Sequence, residues 1–342
     1  MRAICVDKDY GSVSAAELNQ VQKAYAKVDI ELVLQNYNTE DEIIEGCKGA
    51  DVILATGNPP ITRKVMTALP ELKFIQRFGA GVNSIDLDAA SDLGKVVLNL
   101  PGFCAKELAD LATAMIMGLI RNTVYYDREI RKGNWPKCQY LLPGDVRTMT
   151  LGLFGFGAAG RSLYDIFHGG FGTTVISCDP YISDEVKRQY PDVEFVSFET
   201  LLTRSDIISI HVALTPETKY VFNRDAFRKM KSTAMIINTA RGPIINQKDL
   251  AWALEKKEIQ YAGLDTMEQE PIGTDDPLLK MDNVILSPHS GSYGVGAKKK
   301  QLEMVCTLVP DAVAKGTIPA HCVANRAIMQ KEDRFMFQLI GE

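Results

Sequence analysis

This chain has no apolar run long enough to cross a bilayer: the longest, Leu111–Ile120, has ten residues and stops at Arg121. It does not open as a secretory leader would, because Asp7 falls where an apolar stretch should continue. Cysteine is sparse, and its pattern is unpaired. The seven cysteines (5, 47, 104, 138, 178, 306 and 322) are odd in number and include no CxxC pair. That argues against a disulfide framework or a zinc site, implies no metal, and fits reduced thiols in a cytoplasm. An excess of basic charge is also missing. The formal net charge is −5, so nothing draws the chain toward nucleic acid, and a small anionic substrate needs a locally basic site. Low-complexity tracts are absent; 46% hydrophobic against 24% charged residues is the balance of a folded globular protein. Histidine is scarce, with four (168, 211, 289 and 321) in 342 residues, so the choice of a histidine acid or base is narrow.

What is present is concentrated at Leu151-Gly-Leu-Phe-Gly155-Phe-Gly157-Ala-Ala-Gly160. An apolar strand feeds a GxGxxG turn and a helix-compatible segment, Arg161 to Phe167, and a second strand, Thr174–Cys178, ends on Asp179. A dinucleotide site requires this βαβ order. Gly155 permits the tight turn, Gly157 lets a pyrophosphate approach the backbone, and Gly160 lets helix pack on strand. The free N–H groups at the helix start face the diphosphate. Asp179, nineteen residues after Gly160, can accept from both ribose hydroxyls and would repel a 2′-phosphate, so NAD is favoured over NADP.

The fingerprint sits mid-chain and leaves about 100 residues before it for a unit of their own. Strand-like runs at 3–6, 31–34, 51–55, 73–76 and 95–98 alternate with helix-like segments, which implies a parallel sheet. Thr39-Glu-Asp-Glu42 predicts a capping box, and Asp86 predicts a helix start that Gly94 closes. Pro101-Gly102 then precedes a segment, Cys104–Arg121, apolar nearly all round, read as the link between units and part of a subunit interface. Strands resume at Leu151, Val175, Glu194, Asp206, Ala234, Gln260 and Val284, enough for a six- or seven-stranded doubly wound sheet. The expected fold is α/β: a Rossmann NAD-binding domain over 103–297 and a smaller flavodoxin-like substrate domain, discontinuous over 1–102 and 298–342, with the cleft between them.

Three strand ends carry polar groups suited to chemistry. Arg241 follows the strand ending at Asn238, Glu270 follows Gly263-Leu-Asp265, and His289 follows Val284-Ile-Leu-Ser-Pro288. In open α/β sheets the ligand lies outside those ends. Reducing a 2-oxo acid needs a guanidinium fork to clamp the carboxylate and polarise the carbonyl. It also needs a proton donor that titrates near neutrality, and an acid to orient that donor. Taken singly, each residue also reads as a surface salt bridge, a solvated acid or a capping histidine. Three in register favour catalysis.

In these segments the sequence resembles the NAD-dependent D-2-hydroxyacid dehydrogenases, from about Ala3 to Ala324. The resemblance is carried by Arg77-Phe-Gly79-Ala80-Gly81-Val-Asn-Ser-Ile-Asp86, Gly155–Gly160, His211-Val-Ala-Leu-Thr215-Pro-Glu-Thr218, Asn238-Thr-Ala-Arg241-Gly, Gly263-Leu-Asp265 with Glu270-Pro271, and Ser287-Pro-His289-Ser-Gly. It implies that Arg241 binds the substrate carboxylate and carbonyl, His289 exchanges the proton, and Glu270 pairs with His289. Backbone N–H groups of Gly79, Ala80 and Gly81 would take the carboxylate's other side. Ala158 and Ala159 would face the diphosphate, Thr239, Ala240 and Asp265 would line the nicotinamide, and the loop from His211 through Thr215 to Thr218 would follow the cofactor. The chain departs from the family at Asn83, usually aspartate, at Ala213, usually proline, and after Pro101, where a customary histidine is missing.

Arg77 either adds a positive charge for a phosphorylated substrate or, the preferred reading, braces the glycine loop. His168 and His321 read as surface or turn residues, Met115 and Met117 as core fillers, and Lys298-Lys-Lys300 as a solvated face. Trp135 and Tyr140 lie where a subunit arm could carry them into a neighbour. The expectation is a cytoplasmic, homodimeric reductase of a small anionic 2-oxo acid, joined through 103–150 and using NADH, with no nucleic-acid or membrane partner. The alternatives are a 3-phosphoglycerate dehydrogenase without room for an appended regulatory domain, and a non-enzymatic NAD-sensing interaction protein on the same fold.

Overall fold

Alternating apolar strands and amphipathic helices assemble into two large parallel sheets, one in each compact unit, and a parallel pair, Thr317–Pro319 with Gln338–Ile340, joins the first unit. The computed structural model describes residues 1–7, 13–136, 144–331 and 335–341. Met1–Phe103 with Val295–Glu342 form the first unit and Cys104–Gly294 the second.

The first unit holds β1 (Arg2–Cys5), β2 (Glu31–Leu34), β3 (Val52–Ala55), β4 (Phe74–Arg77) and β5 (Val96–Leu98) in the order β2-β1-β3-β4-β5. Strands β1 and β3 are buried almost throughout, as strands covered by helices on both faces must be. Asp86 caps its helix by accepting from the Ala89 N–H at 2.8 Å, and Leu93-Gly94 closes that helix, with Gly94 at φ +69°. The capping box at Thr39 is only half formed. Thr39 accepts from the Glu42 N–H at 3.3 Å, but the Glu42 carboxylate reaches back one residue further, to the Asn38 N–H at 2.6 Å. The returning helix, Val295–Lys315, packs on Ala15–Ala26, where Lys298 pairs with Glu17 at 3.1 Å. Lys298 is therefore a structural ion-pair member and not simply part of a solvated face. After that helix, Asn325 bridges β5, its side chain accepting from the Val97 N–H and donating to the Lys95 carbonyl.

The second unit holds β6 (Thr150–Phe154), β7 (Thr174–Cys178), β8 (Glu194–Phe195), β9 (Ile207–Ile210), β10 (Met235–Asn238), β11 (Tyr261–Leu264) and β12 (Val284–Leu286). Their order is β12-β11-β10-β9-β6-β7-β8, all parallel, so every carboxyl end faces one edge. The reversal of strand order beside β6 is the switch point at which such sheets take ligands. Two apolar layers cover the sheet, one of them built on the helix Ala105–Ile120, whose Ala109, Ala112, Met115, Ile116 and Leu119 are buried. The helix after the glycine turn starts at Ala158, earlier than its composition suggests. Past Tyr164 it widens into a π-helix, Asp165–Phe171, through the weak helix formers Gly169-Gly170. Within it His168 stacks on Tyr164, ring centroids 4.9 Å apart, and is half-buried. Among the described residues no helix is long and apolar enough to cross a membrane, and no group of His, Cys, Asp or Glu could hold a metal. Tyr140 lies outside the described residues; Trp135 is 85% exposed.

Candidate active site

The carboxyl edge of the second sheet is built first by glycine geometry. Gly155 has φ +98°, and a β-carbon there would stand 2.7 Å from the His211 carbonyl oxygen. A β-carbon on Gly160 would stand 2.4 Å from the Gly155 carbonyl oxygen, so strand end, turn and helix close up only with glycine at both positions. At Gly157, by contrast, a β-carbon would meet nothing within 4 Å. The turn is thus tight on its protein side and open beside the first N–H groups of the helix, the arrangement a diphosphate needs. At the end of β7 the Asp179 carboxylate accepts from the Phe156 N–H at 2.9 Å and the Tyr181 N–H at 3.0 Å. This fixes it against the same turn. The residues present fit NAD.

His211 ends β9. Its N–H donates to the Phe154 carbonyl at 2.7 Å and its Nε2 meets the buried Ser209 hydroxyl at 2.9 Å. Burial pushes the imidazole down to about 4, so it is neutral at pH 7. The loop beyond is held by its own hydroxyls. Thr218 donates to the Ala213 carbonyl at 2.8 Å, and Thr215 accepts from the Thr218 N–H at 3.3 Å.

Asn238, buried at the end of β10, shapes the turn that presents Arg241. Its side chain accepts from the Ala240 N–H at 3.0 Å and donates to the Arg241 carbonyl at 2.9 Å. Arg241 is half-buried, and its NH1 donates to the Ala240 carbonyl at 2.6 Å. Desolvation lowers the guanidinium from its usual value, while the charge of Glu270 acts the other way. Beyond β11, Asp265 is 1% exposed and holds the next loop. Its carboxylate accepts from the Ser287 hydroxyl, from the Ser290 N–H at 2.8 Å and from the Gly291 N–H at 2.9 Å. The backbone of His289 also donates to the Asp265 carbonyl at 2.8 Å. So held, His289 adopts φ +53°, a left-handed conformation costing a non-glycine residue about 1 kcal/mol.

That posture turns His289 Nδ1 onto Glu270 Oε2 at 2.7 Å. The other Glu270 oxygen accepts from the Met267 N–H at 3.0 Å. Desolvation alone would raise the Glu270 carboxyl, but the bonds from His289 and Met267 and the charges of His289 and Arg241 outweigh it. The group is held below its ordinary value. Two hydroxyls at this edge, Thr239 Oγ1 and Thr266 Oγ1, are buried without a partner among the described residues. Sequence reasoning named Thr239. It gave no role to Thr266, Asn238 or Ser287, although each lies at or beside a strand end it had singled out. Arg77 lies in the first unit, where its Nε donates to the Gly81 carbonyl at 2.8 Å and its NH1 to the Ala55 carbonyl at 3.3 Å.

A doubly wound sheet with this turn, and an acid at the end of the next strand, defines an NAD-binding fold. The comparisons with known proteins narrow the class. Residues 113–291 match the family described as D-isomer specific 2-hydroxyacid dehydrogenase, NAD binding domain. The chain is 36% identical over 296 residues to a glyoxylate reductase of Korarchaeum cryptofilum, covering 86% of this chain and 88% of that one. It is also 36% identical over 263 residues to a D-3-phosphoglycerate dehydrogenase of Methanocaldococcus jannaschii, covering 76% of this chain but 49% of that one. Among solved structures, a glyoxylate reductase from Paecilomyes thermophila superposes with a TM-score of 0.83 at 27% identity, over 92% of this chain and 96% of that one. The chain belongs to the D-isomer specific 2-hydroxyacid dehydrogenases, NAD-dependent enzymes that reduce 2-oxo acids.

Proposed function

We propose that this enzyme reduces a short 2-oxo acid of the glyoxylate type to the 2-hydroxy acid, with Arg241, Glu270 and His289 as its catalytic groups. One observation carries the reading: the 2.7 Å contact of His289 Nδ1 with Glu270 Oε2, at the edge where Arg241 emerges. NADH, when bound, supplies the hydride. Arg241 holds the carboxylate and draws charge onto the C2 carbonyl oxygen, aided by its desolvated surroundings. His289 gives a proton from Nε2 to that oxygen, and Glu270 keeps the ring turned and favours its charged form. Asp179 takes the ribose hydroxyls, Ala158 and Ala159 the diphosphate, and Thr239, Ala240 and Asp265 the nicotinamide side. The loop of His211 and Thr215 follows the cofactor. From the first unit, the Gly79–Gly81 N–H groups are assigned to carboxylate on chemistry alone, with Arg77 bracing their loop.

The short substrate is supported by relatives named glyoxylate reductase that match over most of their own length. The use of Arg77 NH1 and Nε on backbone carbonyls supports an unphosphorylated one. A homodimer through 103–150 is supported by the helix Thr123–Arg131, which has no fully buried residue, and by exposed Trp135. A cytoplasmic location is supported by the described cysteines, which are all thiols and mostly buried.

NADH oxidation against glyoxylate, pyruvate, bulkier 2-oxo acids and 3-phosphohydroxypyruvate tests the reading. Turnover of glyoxylate that Arg241→Ala abolishes, with NADH still bound, is expected. Wild-type-like turnover by that variant would overturn the assignment. Silence across the panel with intact NADH binding would favour the cofactor-sensing alternative.

A further inference from the structure

Glu268 has no part in the chemistry just assigned, yet three loops of the second unit meet at its side chain. Its Oε1 accepts from the Tyr220 hydroxyl, and its Oε2 accepts from the Gln247 N–H at 3.2 Å. In return the Glu268 N–H donates to Gln247 Oε1 at 2.9 Å. Gln247 Nε2 continues to Asp276 Oδ2 at 2.6 Å. The bonds therefore join the end of the loop that starts at His211, the arm that follows Arg241, and the arm that carries Glu270. Backbone contacts complete the ring. The Tyr220 N–H donates to the Pro243 carbonyl at 2.8 Å and the Asn246 N–H to the Phe222 carbonyl at 2.9 Å. Tyr220 holds φ +54°, a conformation tyrosine rarely adopts and one that these bonds sustain.

The ring acts on a specific neighbour. Met267, which precedes Glu268, supplies the N–H that binds Glu270 Oε1 at 3.0 Å, and the other Glu270 oxygen holds His289. A shift of Glu268 therefore moves the donor that aims Glu270, while a shift of Gln247 moves the arm that starts at Arg241. We propose that Glu268, with Gln247 and Tyr220, is a positioning device that sets Arg241 against the Glu270–His289 pair without touching substrate. This rests on the catalytic roles proposed above for those three residues. Glu268 is exposed, and hydrogen bonds at such positions add little to stability. Catalytic geometry is more sensitive, since an error of about 1 Å costs about 100-fold in rate.

The experiment compares wild type, Glu268→Ala, Glu268→Gln, Tyr220→Phe and Arg241→Ala as full chains, using the 2-oxo acid that the wild type reduces. Glu268→Ala is expected to lower kcat about tenfold or more, with the NADH Kd from fluorescence within about twofold and Tm close to wild type. The acidic limb of its kcat profile is expected to move upward, because Glu270 loses part of what holds its carboxyl low. Glu268→Gln, which keeps one acceptor oxygen, should recover part of the rate and of the limb. Tyr220→Phe should fall between, and the double variant with Glu268→Ala should be no worse than Glu268→Ala. If Glu268→Ala does not fold, Tyr220→Phe decides. Rates within twofold of wild type with Arg241→Ala inactive would overturn this proposal alone, as would a slower enzyme whose acidic limb is unmoved. Wild-type-like turnover by Arg241→Ala would overturn the reading beneath it.

Discussion

Gly242 stands directly after Arg241, and adding one methyl group there should separate catalysis from cofactor binding. An alanine β-carbon at this position would lie 1.8 Å from the Met267 carbonyl oxygen, 1.9 Å from its carbon and 2.5 Å from the Glu268 nitrogen. Comfortable contact needs about 3.5 Å, so one of two backbone segments must retreat by roughly 1.5 Å. Neither is the far end of a flexible side chain. Gly242 has no left-handed φ, so alanine accepts its backbone angles and the cost is contact alone. One segment carries Arg241 and the other the N–H that aims Glu270. A displacement of about 1 Å costs about 100-fold in rate, so kcat/KM for Gly242→Ala should fall by at least that factor. Stability should fall by about 1–3 kcal/mol, the range for overpacking. The glycine turn of the cofactor is untouched, and NADH titrated by fluorescence should bind within a few-fold of wild type. Gly170→Ala is the control, since its β-carbon meets nothing within 4 Å, and it should leave both rate and Tm near wild type. A Gly242→Ala enzyme with wild-type kcat/KM would refute the view that these two backbones set the site.

His289→Gln should cost several orders of magnitude in kcat, measured by NADH oxidation; a small effect would place the proton donor elsewhere. Glu270 is held low in the folded state, so the stability its charge contributes is complete above the ordinary glutamate value and is lost as pH falls through the lower folded one. Glu270→Gln should remove that dependence in urea unfolding at successive pH values and also shift the acidic limb of the rate profile. His211 acts in the same direction over a higher window: it is held near 4, so the unfolded chain takes up the proton first and stability drops as pH falls from about 6.5 toward 4. His211→Asn should flatten that decline, worth about 2 kcal/mol by urea midpoints at pH 7 and 4.5. Asp179→Asn should weaken NADH binding and narrow its preference over NADPH, read by titrating both cofactors.

The strands were legible because a buried parallel strand is a short, nearly continuous apolar run, and the runs at 52–55 and 207–210 are of that kind. The glycine turn was legible because its spacing states a steric need. Arg241, Glu270 and His289 could be placed on one edge because parallel strands all end on the same side. What had no sequence signal is the support beneath them. Glu268 and Gln247 are 21 residues apart and exchange backbone-to-side-chain bonds that no period announces. The left-handed backbone of His289 comes from Asp265 just beyond a neighbouring strand, not from a local glycine. The displaced capping bond at Asn38 and the π-helix after Tyr164 likewise depend on small geometric choices that composition leaves open.

The chain order of the two units has a consequence during synthesis. Residues 104–294 form one uninterrupted unit, whereas the first 103 residues depend on partners that come last. Glu17 waits for Lys298, and the Val97 N–H and Lys95 carbonyl wait for Asn325. On the ribosome, which emits the chain from its N-terminus at about 5–20 residues per second, the earlier segment must pass more than ten seconds with β5 and a helix face uncovered. The nucleotide-binding unit can finish folding in that interval. The unit that holds β1 to β5 is thus begun before the nucleotide-binding unit and completed after it.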